Sequence, residues 1–282
     1  PQEDFDAPPL VDALRERGHT GCEAAWDDGA VDWAGFDAAL LRSTWDYYHR
    51  RDDFLAWAER VAACTALFNP PAVVRWNTHK FYLRDLAARG VDIAPTVFVP
   101  AGSRFDLGAC LAASGWDEVV VKPAVGADSF ATVRGTRASL AAARAHLETH
   151  LPQRDMLVQR YLPAVVEPGE RCLVFLDGHY SHAVRKRSLF LGGRHAGPEG
   201  VPVEAERDEI AAARRVLAAG TASGDPPPLY ARLDLLRDEQ GRPCLMELEM
   251  VEPSLFFAAR AGAAADLVAA LEARLGQAEA AS

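Results

Sequence analysis

Arg232, Asp234, Glu247 and Glu249 are the residues whose types and spacing point most directly to chemistry. They lie in the stretch YARLDLLRDEQGRPCLMELEMVEPS. Tyr230 to Arg237 alternates as a strand, Asp238 to Pro243 carries turn residues, and Cys244 to Glu249 alternates again. Centring this hairpin between Gln240 and Gly241 sets Asp234 opposite Glu247 and Arg232 opposite Glu249. Side chains two apart in a strand share a face, so three carboxylates and one guanidinium are expected on one side. Acids crowded in this way repel one another, and a hard cation relieves the repulsion. Magnesium takes a few carboxylates together with water and phosphate oxygens. Arg232 beside it would stabilise charge on a transferring phosphoryl group. A solvated strand face paired with distant lysines would use the same residue types. The leucines of the opposite face (Leu233, Leu235, Leu245, Leu248) favour a buried hairpin instead. Glu252 is assigned to the surface or to a supporting position.

Phosphate would need cations. Lys122 ends the apolar run VVVKP, where a strand delivers an ammonium into a cleft. Lys80 falls in the first turn of a helix expected to be capped by Asn77-Thr78, and a helix N-terminus adds to its pull on phosphate. A solvated strand end and a surface lysine are the plain alternatives. The loop Gly126-Ala127-Asp128-Ser129-Phe130 offers backbone N–H groups and the Ser129 hydroxyl. Lys186 sits between Arg185 and Arg187 at the end of another strand, although such a triplet also suits a solvated surface. The chain carries no GxxxxGK(S/T) loop and no GxGxxG turn, so neither a P-loop nor a dinucleotide fingerprint is present.

The elements that must position these groups alternate. Pro8-Pro9 starts a helix that Gly18 stops. Strands are expected near Cys22 to Ala25 and over Phe36 to Arg42. A helix follows, capped by Asp52 or Asp53. Asn69-Pro70-Pro71 reads as a boundary. The strands TVFVP, DEVVVKP, MLVQRYL, RCLVFLDG and YSHAVRKR come next, with helices over residues 137–150, 206–219 and 264–275. An α/β domain usually opens on a strand, so a short first strand is expected upstream of Pro1.

The chain has 282 residues, is 49% hydrophobic and carries a formal charge of -10. That supports a large core and disfavours DNA, RNA or an anionic membrane as partner. No apolar run reaches the roughly 18 residues of a spanning helix. Five scattered cysteines without CxxC spacing suit buried thiols in a reducing cytoplasm.

Arg-x-Asp, then thirteen residues from the Asp to a Glu-x-(Asn/Glu) pair and a following Pro, resembles the metal signature of the ATP-grasp superfamily. D-alanine:D-alanine ligases, glutathione synthetases and RimK-type ligases share it. Here it is Arg232, Asp234, Glu247, Glu249 and Pro253; Glu249 departs from the Asn of many members. The resemblance implies an α/β (α+β) ATP-grasp fold. An N-terminal Rossmann-like domain would span residues 1–75, and α+β subdomains over 76–163 and 164–282 would hold ATP between them. It implies two magnesium ions on Asp234, Glu247 and Glu249, with Arg232 and Lys186 as catalytic groups. Lys80 and Lys122 would contact phosphates, under a loop containing Gly126 and Ser129. LVQRYLP resembles the hinge of the glutathione synthetase branch. It implies adenine recognition at Gln159, Arg160, Tyr161 and Leu162, with walls from Val120 and Leu162. Glu170, in preference to Glu167, would take the ribose hydroxyls.

RSTWDY, VVRWNTHKFYLRDLAARGV, DGHYSHAVRK and MELEMVEPSL are most similar to the branch containing the cycloserine-forming O-ureido-D-serine cyclo-ligase. That implies a small amino-acid-like substrate near Arg42, Ser43, Trp45, Arg75, Trp76, Arg187 and Ser254; Trp45 and Trp76 equally suit a core. It implies carboxylate activation as an acyl phosphate, captured by a nitrogen to form a C–N bond, with release of ADP and phosphate. Ligation of two amino acids, a nucleotide-binding module without ligation, and a homo-oligomer stay open.

Overall fold

The computed structural model describes residues 4–127, 129–186 and 200–281. Three sheets organise them. The first is a parallel pair, β1 (Ala38–Leu40) and β2 (Ala66–Phe68), joined through helix α2 (Arg51–Ala62). The strand expected over Phe36 to Arg42 thus shortens to three residues. No strand forms at Cys22 to Ala25; these residues are exposed, with no neighbouring ladder to take up their backbone groups. Arg50 occupies the N-cap position of α2, while Asp52 and Asp53 lie within its first turn, where they complement the helix dipole. Helix α1 (Ala7–Glu16) opens with proline as expected.

The second sheet is antiparallel, in the order β3-β6-β4-β5, from β3 (Thr96–Val99), β4 (Glu118–Pro123), β5 (Val133–Thr136) and β6 (Met156–Arg160). Val119 and Val121 of β4 are buried with Leu107 and Leu111 of helix α5 (Leu107–Ser114) and Ala143 and Leu147 of helix α6 (Ala141–His150). The period of two in the strand then turns Val120 and Lys122 to the opposite face. Helix α5 escaped the sequence reading, although Asp106 caps it by accepting from the Gly108 and Ala109 N–H groups.

The third sheet runs β11-β10-β7-β8-β9, from β7 (Glu170–Leu176), β8 (His179–Lys186), β9 (Val201–Val203), β10 (Tyr230–Arg237) and β11 (Pro243–Glu249). Both of its faces are covered. Leu173, Phe175, Leu233, Leu235 and Leu248 pack with helices α4 (Tyr82–Ala88) and α7 (Arg207–Gly220). Val174, Leu176 and Tyr230 pack on the other side with α1 and helix α8 (Ala263–Ala281). Burying each such leucine contributes about 1.5–3 kcal/mol. Along β10 this second face changes character, from Tyr230 in the core to Arg232 and Asp234, both buried and charged. Among the described residues no helix is long and apolar enough to cross a membrane.

Two asparagines clip the hairpin to the N-terminal half. Asn69 is fully buried, donates to the Tyr230 and Met250 carbonyls at 3.0 and 2.7 Å, and accepts from the Leu229 N–H at 2.8 Å. Asn77 ends helix α3 (Pro71–Asn77) rather than capping the next helix. Its amide donates to Leu248 O at 2.7 Å and accepts from Met250 N–H at 2.7 Å. Lys80 therefore lies in the turn between α3 and α4, where no helix N-terminus assists it.

Candidate active site

The β10–β11 ladder contains a bulge. Nearest the turn, Arg237 pairs with Pro243, Leu236 with Cys244 and Leu235 with Leu245; beyond the register shift, Asp234 pairs with Glu247 and Arg232 with Glu249. One extra residue in β11 thus sets the carboxylates opposite their partners, and it brings adjacent Met246 and Glu247 to the same cavity. A regular strand would turn one of them away. The expected cross-strand pairs are present, although the register nearest the turn, carried on without the bulge, would have paired Asp234 with Met246.

The cavity, about 200 Å³, lies between the second and third sheets. From the first sequence expectations it gathers Arg232, Asp234, Glu247, Glu249, Lys80, Lys122 and Lys186. Gly126, Ser129, Gln159, Arg160, Tyr161, Leu162 and Glu170 also line it, as do Trp45 and Ser254. Its apolar end comprises Val120, Leu162, Val165, Leu236 and Met246.

Charge in the cavity is paired in part. Arg232 forks onto Asp234, Nε to Oδ1 and the terminal nitrogen to Oδ2, both at 2.8 Å, and also donates to Glu249. Lys80 donates to Gly126 O at 2.6 Å and pairs with Glu247 at 2.7 Å. Among the described residues, Lys122 and Lys186 have no ion-pair partner within 4.0 Å. Burial lowers the Lys122 ammonium below its ordinary value. Burial works to raise the Glu247 carboxyl, but Lys80 and Lys122 outweigh it and hold Glu247 at about 2. Glu249 has the opposite balance: burial, reinforced by Asp234 and Glu247, lifts it to about 7 against the pull of Arg232. Burial and Asp234 likewise lift Glu170 to about 7.

This donor set fits a hard cation. Oxygen atoms of Glu170 and Asp234 lie with Cys172 Sγ inside a 4.8 Å cluster. Cys172 is fully buried and its thiol is pushed far up, chiefly by burial, so thiolate ligation is disfavoured and the carboxylates remain the donors. Acids that hold protons near neutrality leave a deficit of positive charge that a divalent ion would fill.

A pH dependence follows. Glu170 and Glu249 titrate near 7 in the folded chain against an ordinary 4.5. Between those values the folded chain binds protons that the unfolded chain has lost, so these acids make stability fall as pH rises through about 7. Magnesium competes with those protons. Thermal denaturation should show a larger upward shift in Tm on adding magnesium chloride at about pH 8 than at about pH 5.5. Equal shifts at both pH values would contradict the cation site.

Five expected site residues are elsewhere. Arg42 donates to Pro253 O at 2.6 Å and to Asp6 at 3.2 Å, and Ser43 donates to Asp4, so both are spent on the N-terminal segment away from the cavity lining. Arg75 is exposed and pairs with Glu59 at 2.8 Å. Glu167 is exposed, in the turn before β7, while Glu170 reaches the cavity. Arg187 lies outside the described residues. Trp76 donates to Asp85 at 3.0 Å and packs on Tyr82, in the core. Sequence reasoning missed Leu236, which shares a strand face with Arg232 and Asp234 and was legible by parity. It also missed Met246, visible only through the bulge, and Glu252, which is 8% exposed and lines the cavity.

Comparison with known proteins identifies the family and the fold. Residues 1–69 match the family described as "D-cycloserine synthetase DcsG, N-terminal domain". The cycloserine biosynthesis protein DcsG of Streptomyces lavendulae is 38% identical over 271 residues, covering 89% of this chain and 88% of that protein. The chain belongs to the D-cycloserine synthetase family. A crystal structure of D-cycloserine synthetase DcsG superposes with a TM-score of 0.89 at 38% identity, over 96% of this chain and 95% of that one. The ATP-grasp ligase PsnB, solved with a minimal precursor, Mg and ADP, gives a TM-score of 0.63 at 16% identity, over 97% of this chain and 94% of that one. The D-cycloserine synthetase family thus shares the ATP-grasp fold, and this member is an ATP-grasp ligase.

Proposed function

We propose that this ligase closes a small amino-acid-derived substrate on itself. The substrate carboxylate is activated by ATP as an acyl phosphate, and a nitrogen of the same molecule displaces phosphate to form the C–N bond of a ring, as the name of the cycloserine relative suggests. The observation that carries this reading is one cavity joining Lys122 and Lys186, which have no ion-pair partner among the described residues, to the carboxylates of one hairpin, with Trp45 and Ser254 also on its wall.

In this reading Lys80 and Lys122 hold phosphates, and the Gly126–Ser129 loop covers them. The base lies against Val120, Leu162, Leu236 and Met246, read by the backbone of residues 159–162, and Glu170 is positioned for the ribose or the metal. Asp234, Glu247 and Glu249 hold two magnesium ions. Such ions, when bound, neutralise phosphate charge and orient the transferring group. Arg232, locked by its fork to Asp234, and Lys186 stabilise negative charge developing on the transferred phosphoryl. Residues 1–75 form the substrate domain and residues 76–163 and 164–282 the two grasping halves. Five free cysteines suit a reducing cytoplasm as the place of work.

The test is release of ADP and phosphate. O-ureido-D-serine as the sole organic substrate should drive turnover and yield a cyclic product. ADP formed only when two amino acids are present would replace ring closure with intermolecular ligation. Nucleotide binding without turnover under either condition would make the chain a binding module.

A further inference from the structure

Glu252 differs in position from the other acids of the cavity. Asp234 and Glu249 are bound by Arg232 and Glu247 by Lys80, while Glu170 has no ion-pair partner within 4.0 Å among the described residues and feels Lys186 only at longer range. Glu252 lines the same cavity, 8% exposed, yet among the described residues its carboxylate has no ion-pair partner. Its carboxyl takes a hydrogen bond from its own backbone N–H. A buried carboxyl without a cation costs stability. It also lies beyond the end of β11, outside the ladder that carries the carboxylates of the hairpin. Its backbone carbonyl accepts from Trp45 Nε1 at 3.0 Å, which fixes it next to the wall formed by Trp45 and Ser254.

Ring closure creates a need for a proton acceptor, and Glu252 is the cavity acid held next to Trp45 and Ser254. When nitrogen attacks the acyl phosphate, the N–C bond forms, the C–O bond to phosphorus breaks, and phosphate leaves with that electron pair. The nitrogen, now an amide, must shed one proton. We infer that Glu252 is the acceptor of that proton, held by burial and by the Trp45 contact beside the reacting nitrogen. The inference rests on the cyclisation reading above.

The two half-reactions can be separated. Hydroxylamine traps an acyl phosphate as a hydroxamate and, being uncharged at neutral pH, does not depend on a strong base. In Glu252→Gln, cyclic product should fall by about 10²-fold or more, while substrate-dependent hydroxamate formation stays within about threefold of wild type. Glu252→Asp, which keeps the carboxylate, should recover part of the cyclisation. Wild-type cyclisation in Glu252→Gln overturns the inference, because the departing phosphate would then suffice as acceptor. Parallel loss of product and hydroxamate, unrelieved in Glu252→Asp, also overturns it, since the residue would then serve activation or folding. Failure of the cyclisation reading itself appears separately, as wild-type protein that makes hydroxamate but no ring.

Discussion

Glu247→Gln should lower ATP-dependent turnover by at least about 10²-fold while leaving the chain folded. Groups that merely support a metal ligand already account for 10–100-fold in affinity or activity, and Glu247 projects directly into the cavity beside Asp234 and Glu249. Glutamine matches its volume, and Lys80 keeps its bond to Gly126 O at 2.6 Å. Some stability is lost, because the Glu247 carboxyl, held at about 2 against an ordinary 4.5, favours the folded state above the ordinary carboxylate range. That contribution disappears for wild type as well when pH falls through about 2. Circular dichroism should report the native spectrum and an ADP assay the loss. Wild-type turnover in this variant would remove the hairpin from the chemistry.

Lys122→Ala should weaken ATP binding by about 10- to 100-fold, the effect of deleting one charge-assisted hydrogen bond worth about 1.5–3 kcal/mol. The structural cost should be small, because Lys122 has no ion-pair partner among the described residues and burial already disfavours its charge. The substitution therefore isolates ligand binding better than Lys80→Ala would, where the partner Glu247 is left uncompensated. Titration calorimetry with ATP and magnesium reads the change. An unaltered dissociation constant would exclude Lys122 from phosphate recognition.

The acidic hairpin was legible because strand parity needs only local sequence: Arg232, Asp234, Glu247 and Glu249 announce themselves by type and spacing. Lys122 was legible for the same reason, at the end of an alternating strand. What sequence hid was set by partners far along the chain. Arg42 and Ser43 sit in a phrase resembling that of relatives, but Asp6 and Pro253 take the terminal nitrogens of Arg42 and Asp4 takes the Ser43 hydroxyl. Asn77 resembled a helix cap, and its amide is instead committed to Leu248 and Met250, more than 170 positions away. Lys80 kept its place on the cavity by means of Gly126 and Glu247 rather than by the helix terminus expected to support it. Glu252 read as surface or as a supporting group, because nothing local marks a glutamate as buried. The β11 bulge is equally silent, since the two registers differ by a single residue.

The N-terminal helix and the segment behind the hairpin form one seam. Asp6 accepts from the backbone N–H groups of Leu255, Phe256 and Phe257 at 2.5, 3.1 and 2.8 Å, α1 packs on α8, and Arg17 and His19 both reach Glu272. Phe256 is held there in the left-handed region, φ 50°, two positions after Ser254 on the cavity wall. Chimeras between relatives that swap only the first seventy or so positions would therefore join mismatched surfaces, and grafting substrate preference would require moving both ends of the polypeptide as a pair.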